Sequence, residues 1–392
     1  MRLLLVSFYY YPDLSAGSFR ATALARALRQ RAPPDTHIEI VTTLPNRYRT
    51  FASEAPEIDR EEGWEIHRIR LPTHRSDMAG QARAFLHFAR RTLEHVNDRS
   101  YDLVFATSSR LATATLGAWV ARRKGARLYL DIRDIFTDTI KDVLPNGAGW
   151  LISRAFSLVE SWTMRRADCI NLVSPGFEAY FRSRYADRRF SWFTNGIDQE
   201  FLQPAPARVT AKRGRTTIMY AGNIGDGQGL HQILPGLALA LSDRAQFVVI
   251  GDGGRRAELE AALAAAAANN VEIRPPVARS KLLEAYYAAD VLFLHLGNRP
   301  AFEHVLPSKL FEYGSLGKPV LAGVRGYAAR FIEQEISNAA VFSPCDVEGA
   351  VAAFNRLVIA DQPRPDFVYR YTRANIVNTM ADEVLALASL GK

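Results

Sequence analysis

Cysteine is scarce: Cys169 and Cys345 are the two in a chain of 392 residues. They lie far apart, each in an apolar run or at its end. Neither a disulfide framework nor a zinc-ligand spacing exists, and a reducing compartment is expected. No run reaches 18 uninterrupted apolar residues, which excludes a membrane-spanning helix. The opening run, residues 1–8, lacks a small-residue cleavage site and stops at Tyr9-Tyr10-Tyr11-Pro12-Asp13. It reads as a buried first strand rather than a signal peptide, and a cytoplasmic protein is expected. No carboxylate cluster has divalent-metal character, so no metal is expected. Basic residues are not interleaved with aromatics on a recognisable module, so no nucleic-acid partner is expected.

What is present is ordinary in bulk, with 48% hydrophobic and 23% charged residues, as in soluble globular proteins. The length suits two domains rather than one core. The net charge of +8 is unevenly spread: residues 1–190 hold 29 Lys+Arg against 21 Asp+Glu, and the remainder holds 20 of each. Such asymmetry suggests that the first half meets something anionic, a membrane surface or a phosphorylated acceptor. A well-solvated Arg-rich surface explains it equally well. Residues 82–96 combine Phe85, Leu86, Phe88 and Leu93 with Arg83, Arg90 and Arg91. This basic amphipathic helix suits a membrane interface or an ordinary core-facing position.

Short apolar runs alternate with helical patterns twice along the chain. Strands are expected at 3–8, 37–42, 64–70, 103–107, 127–132, 169–173 and 192–194, then at 217–221, 246–250, 271–273, 291–295, 319–322 and 340–342. Such alternation predicts parallel sheets covered on both faces. The Pro-rich, charged stretch from Gln203 to Arg215 reads as a linker. The expected division is 1–200, 201–368 and a C-terminal helix, 369–392, packing back on the first domain. Two open α/β sheets bind ligands at the carboxyl ends of their strands, so a two-part substrate in a cleft is expected.

The richest segment is Phe302-Glu303-His304-Val305-Leu306-Pro307-Ser308-Lys309-Leu310-Phe311-Glu312-Tyr313. Pro307 and Ser308 suit a helix start, with Ser308 as cap. A diphosphate fits such an N-terminus, and Lys309 adds a cation. Glu312 follows Ser308 by four residues, about 6 Å along the axis, within reach of ribose hydroxyls. A surface Lys–Glu pair on a crossover helix is the plainer alternative. Gly222-Asn223-Ile224-Gly225 joins a strand to a helix and allows close backbone approach to phosphate, or is simply a tight turn. Gly251-Asp-Gly-Gly-Arg255 reads as structural. In the first half, Gly17 and Ser18 open a helix and offer N–H groups, and Arg20 is expected to reach an acceptor phosphate. Asp131, Arg133 and Asp134 end a buried strand, where charges are costly unless paired or used. They serve either an acceptor hydroxyl or an internal salt bridge.

The 302–313 segment, followed by Gly317-Lys318-Pro319-Val320, resembles the donor-site signature of family-4 retaining glycosyltransferases of the GT-B fold. It is similar to their bacterial O-antigen, capsule and exopolysaccharide branch. Tyr220-Ala-Gly-Asn-Ile-Gly225, Gln228-Gly-Leu230, Ile250 to Arg255, Ala285 to Val291, Val173-Ser-Pro-Gly176 and Thr194-Asn-Gly-Ile-Asp198 continue the likeness in order. The resemblance implies an α/β chain of two Rossmann-like domains with parallel sheets facing a central cleft. It implies a nucleotide-sugar donor, a UDP-sugar in the first instance, with no separate cofactor. It also implies a glycan or polyprenyl-diphosphate-linked acceptor, and a place in the cytoplasm or at the inner face of the membrane.

By that resemblance Glu312 binds the ribose. Lys309 and the backbone of 222–225 bind the diphosphate, and Glu303 contacts the sugar. Gly17, Ser18, Gly222, Asn223, Gly225, Val277, Pro307, Ser308 and Leu310 complete the donor site. Asp131, Arg133 and Asp134 serve the acceptor. Two departures are visible. Glu303 and Glu312 have eight residues between them, one more than in the wider family. Asp226-Gly-Gln-Gly-Leu-His231 replaces the family's cations, for which Lys309, Arg299 or a first-domain Arg is expected to compensate. Two other readings stay open: a nucleotide-sugar epimerase, and a non-catalytic nucleotide-sugar-binding subunit of a transferase complex.

Overall fold

A computed structural model describes residues 1–13, 15–46, 54–72, 78–108, 111–135, 148–202 and 214–390. Most of the expected linker therefore lies outside the described residues. The chain forms two compact units, Met1–Asn195 with Ala374–Lys392, and Gly196–Arg373.

The first unit is built on eight strands: β1 (Arg2–Val6), β2 (His37–Thr43), β3 (Ile58–Glu61), β4 (Trp64–Ile69), β5 (Leu103–Thr107), β6 (Arg127–Ile132), β7 (Cys169–Leu172) and β8 (Phe190–Ser191). Their order is β3-β4-β2-β1-β5-β6-β7-β8. All pairs are parallel except β3 with β4. The crossovers carry α1 (Ala16–Arg31), α2 (Met78–His95), α3 (Leu111–Lys124), α4 (Ala148–Met164) and α5 (Glu178–Arg184). Leu4, Leu5 and Val6 are all buried, as a strand covered on both faces requires. β3 was not foreseen: with one apolar residue in four it carries no core pattern, and it exists as an edge hairpin turned at Gly63.

Below the sheet, Glu39 is completely buried and accepts hydrogen bonds from Arg99 at 2.8 Å and Tyr101 at 2.8 Å, and contacts His95 Nε2. His67 stacks on His95 with ring centres 4.0 Å apart.

The second unit has six parallel strands: β9 (Thr216–Asn223), β10 (Ala245–Asp252), β11 (Val271–Arg274), β12 (Val291–His295), β13 (Val320–Gly323) and β14 (Ala339–Phe342). The order β11-β10-β9-β12-β13-β14 is that of a Rossmann sheet. Residues alternate between two cores, Ile218 and Tyr220 on one face, Met219 and Ala221 on the other. The helices are α6 (Leu230–Ala240), α7 (Arg256–Ala265), α8 (Arg279–Ala288), α9 (Lys309–Ser315), α10 (Tyr327–Glu335), α11 (Val347–Arg356) and α12 (Pro365–Tyr371).

The chain enters and leaves this unit at one place. Ile197 pairs with Thr372, and Asp198 binds the guanidinium groups of Arg279 and Arg373. The last helix, α13 (Arg373–Ser389), then sets Val377, Met380, Ala381, Val384 and Leu387 into the core of the first unit beside Leu3, Leu24 and Tyr129.

Candidate functional site

In the second unit the strand order reverses between β9 and β12, and such a point opens a crevice beyond the carboxyl ends. Two loops meet there: Gly297 N donates to Gly227 O at 2.9 Å. Gly222 closes β9 with φ of 145°, a conformation that side chains disfavour. A β-carbon there would also collide with the Lys309 ammonium. The rest of this loop is tied into the fold. Ile224 N donates to Asp252 O at 2.9 Å, and Gly225 N to Gln228 Oε1 at 3.3 Å. Asn223 Nδ2 donates to the same oxygen at 2.8 Å. Two of the amides that the sequence offered to a diphosphate are therefore engaged internally. Gly251 is structural, because a β-carbon on it would collide with the Gly222 carbonyl.

Lys309 begins α9, and its ammonium also lies 6.0 Å from the Tyr220 ring centre. Burial pulls its pKa down, the Glu312 charge opposes that, and Arg279 adds to it. Glu312 accepts a hydrogen bond from the buried Tyr286 hydroxyl at 3.1 Å. Ser308 does not cap the helix: its own backbone is helical (φ −60°, ψ −26°) and its hydroxyl makes no capping bond. A cap needs extended backbone. Pro307 is half-buried, and Leu310 is fully buried in the core. Val277 packs against the same core.

Arg299, expected to compensate for the missing cations, pairs with Asp226, as Arg255 does at 3.0 Å. Glu303 sits in a short turn, Pro300–His304, with Arg325 Nε 3.0 Å away; both residues are half-buried. Among the described residues no group of three or more His, Cys, Asp or Glu is arranged to hold a metal.

In the first unit the reversal lies between β1 and β5. Ser15 caps α1 by accepting from Ser18 N at 3.2 Å, so the Ser18 amide is engaged and its side chain is buried. Gly17 faces Arg133, whose Cζ would be 3.9 Å from a β-carbon at that position. Arg133 N donates to Ser108 Oγ at 2.9 Å, joining the ends of β5 and β6. Asp134 is half-buried, and burial lifts its pKa to about 6 against the pull of Arg133.

Asp131 is engaged elsewhere. Only 1% exposed, it forms a two-pronged pair with Arg20, both bonds at 2.9 Å, and accepts from Asn171 Nδ2 at 2.7 Å. Arg20 also donates to the carbonyls of Thr194 at 2.6 Å and Phe193 at 2.7 Å. Planar fork-to-fork pairing of this kind leaves neither group turned to an acceptor. Asp131 is thus in an internal salt bridge, but with Arg20, which the sequence directed to an acceptor phosphate, and not with Arg133.

The first part of the chain, residues 15–196, matches the glycosyl transferase 4-like domain, and residues 204–373 match glycosyl transferases group 1. The chain belongs to the family-4 glycosyltransferases. Among relatives of this family-4 chain is WcaI of Escherichia coli (strain K12), named for glycosyl transfer in colanic acid biosynthesis. It is 24% identical over 61% of this chain, and the match spans 62% of its own length. The fold is GT-B. WaaG, a glycosyltransferase involved in lipopolysaccharide biosynthesis, superposes with a TM-score of 0.65 at 15% identity, covering 98% of this chain and 97% of its own. HepE of Anabaena, in complex with UDP, gives 0.62 at 15%, covering 99% and 97%.

Within this family-4 chain, then, Gly222, Lys309 and Glu312 converge, with Tyr220 and Tyr286 behind them. Gly17, Arg133 and Asp134 form a second group on the other sheet. The sequence reading missed His295. Completely buried at the end of β12, it donates from Nδ1 to Gln228 O at 2.6 Å and accepts the Cys345 amide on Nε2 at 3.0 Å. This pattern requires the neutral ring, and burial holds its pKa down to about 4. His295 thereby ties the loop after β9 to the end of β14. A histidine closing an otherwise apolar strand at the reversal point was the available signal.

Proposed function

We propose that this protein is a metal-independent, retaining glycosyltransferase of bacterial surface-polysaccharide assembly. It moves a hexosyl or N-acetylhexosaminyl group from a UDP-sugar to a hydroxyl of a glycan or polyprenyl-diphosphate-linked acceptor, in the cytoplasm at the membrane face. The observation that carries this reading is Lys309 folded over Gly222 with Glu312 one helical turn away. The leaving diphosphate gains negative charge in the transition state, and a fixed cation in a half-buried site stabilises that gain most. Lys309 supplies it, and Glu312, held by Tyr286, takes the ribose hydroxyls. Glu303 faces the sugar. On the acceptor side, Asp134 accepts the hydroxyl proton and Arg133 orients the acceptor's phosphate. The kinship with WcaI and the UDP complex of HepE support the substrate classes.

The test is a panel of nucleotide sugars incubated with the protein and a membrane lipid extract, reading released nucleoside diphosphate. Release that needs lipid and is lost in Glu312→Ala is expected. Conversion of the donor alone to an isomeric sugar would assign an epimerase. Tight donor binding without release, over every donor and acceptor, would assign a binding subunit.

A further inference from the structure

α9 carries both Lys309 and Glu312, yet it is seven residues long and has no side-chain cap at its amino end. A helix that short has little stability of its own. Leu310, Phe311 and Tyr313 seat one face in the core, but apolar contacts are non-directional. The directional bonds that fix its carboxyl end come from Arg364.

Arg364 is 6% exposed and lies in the segment between α11 and α12. Its Nη1 donates to the carbonyls of Gly314 at 3.2 Å and Tyr313 at 3.4 Å, in the last turn of α9. Nη2 donates to Lys318 O at 2.9 Å, just before β13, and Nε to Ser337 O at 2.9 Å, just before β14. The last carbonyls of a helix have no partner within it and carry its negative pole, so a guanidinium suits them. Burial pulls the Arg364 pKa down to about 10 against the pull of Asp361, and the group stays charged at neutral pH. A charge held in the interior by carbonyls is a weak source of stability. What the planar fork adds is geometry, because it ties the end of α9 to the start of two strands at once.

The residues around Arg364 grip the same end. Gln362 N donates to Gly317 O at 2.7 Å, and Asp361 pairs with Lys318 at 3.2 Å. Lys318, 1% exposed, also donates to Tyr287 O at 3.0 Å. Phe367 packs so closely on Gly314 that a β-carbon there would lie 2.3 Å from its ring. That ring is caged in turn by Phe331 at 6.3 Å and Tyr371 at 4.8 Å. Gly314 follows Lys309 by five residues, about 7.5 Å along the axis. In so short a rod, a tilt at one end moves the other by a similar amount, and the Lys309 ammonium has Gly222 against it.

We propose that Arg364 is a positioning residue for glycosyl transfer: with the segment 361–367 it fixes α9, and so holds Lys309 and Glu312 where the donor meets them. It acts through the helix and not by contact with the donor. The inference rests on the donor site proposed at Lys309 and Glu312.

The test is UDP binding by calorimetry, at a temperature where near-ultraviolet circular dichroism shows each variant folded. Arg364→Lys keeps the charge and loses the fork. It should weaken UDP about tenfold in the native background and no more than about threefold beside Lys309→Met, since part of the loss runs through the Lys309 ammonium. A purely structural role would lower the melting temperature and leave the UDP affinity alone. Gly314→Ala leaves Arg364 in place, raises helix propensity and drives α9 off the caged Phe367; it should weaken UDP in the same sense. An affinity unchanged in Arg364→Lys, or weakened equally in both backgrounds, overturns the proposal. Should Arg364→Lys not fold, an unchanged affinity in Gly314→Ala overturns it. Native protein that binds no UDP overturns the donor site itself, and the native chain alone reads that failure.

Discussion

Lys309 lies so close over Gly222 that the glycine's missing side chain is part of the site. Gly222→Ala should displace the ammonium and strain a backbone held at φ of 145°. Donor binding measured by calorimetry should weaken at least about tenfold, a loss of roughly 1.4 kcal/mol. An unchanged affinity would mean that the ammonium does not meet the donor.

Lys309→Met should act mainly on turnover. Removing a preorganised group that meets developing charge lowers kcat by about 100- to 1000-fold. Should KM rise while kcat stays put, Lys309 binds ground state and transition state alike.

Tyr286→Phe separates orientation from contact. It removes the hydroxyl at 3.1 Å from Glu312 and leaves the carboxylate in place. The donor KM should rise by several-fold, as loss of one hydrogen bond to a charged group implies, and by less than in Glu312→Ala. Equal effects would mean that Glu312 acts only through Tyr286.

Asp134 should set an acid limb in the rate profile. Burial raises its pKa to about 6, and a base works only when deprotonated. The logarithm of kcat should climb as pH rises through 6 and level off above it. In Asp134→Asn that limb should vanish along with most activity; its persistence would move the base elsewhere.

Arg20 and Asp131 should govern stability. Breaking a buried pair by Arg20→Met leaves a lone carboxylate and costs about 3–5 kcal/mol, visible in denaturant melts. The double variant Arg20→Met/Asp131→Leu should recover part of that loss. Acid should weaken the same unit through Glu39 and His67. Burial alone would raise the Glu39 carboxyl, yet His95, Tyr101 and Arg99 outweigh it and hold it low. Burial and then His95 hold His67 below its ordinary 6.5. Both shifts make the unfolded chain the better proton binder. Stability should therefore fall as pH drops below 6.5, and further below the ordinary Glu value of 4.5.

The two sheets and the convergence of Gly222, Lys309 and Glu312 were legible because periodicity and loop glycines are local signals. What hid from the sequence depends on distant partners. Asp131 read as cleft-facing because nothing local announces Arg20, 111 residues earlier. Ser308 read as a cap because residue type does not reveal backbone angle. The apolar stripe of α2 suited a membrane or a core equally, and only its packing against Phe8 shows that it faces the core.

The pairing of Ile197 with Thr372 makes the second unit an insertion whose two ends lie side by side. The first unit cannot complete its core until α13 leaves the ribosome, so the inserted unit is whole before its host. A short bridge across those ends would let the host fold without its guest. Equally, a relative's guest could be spliced in, carrying its choice of donor as a cassette.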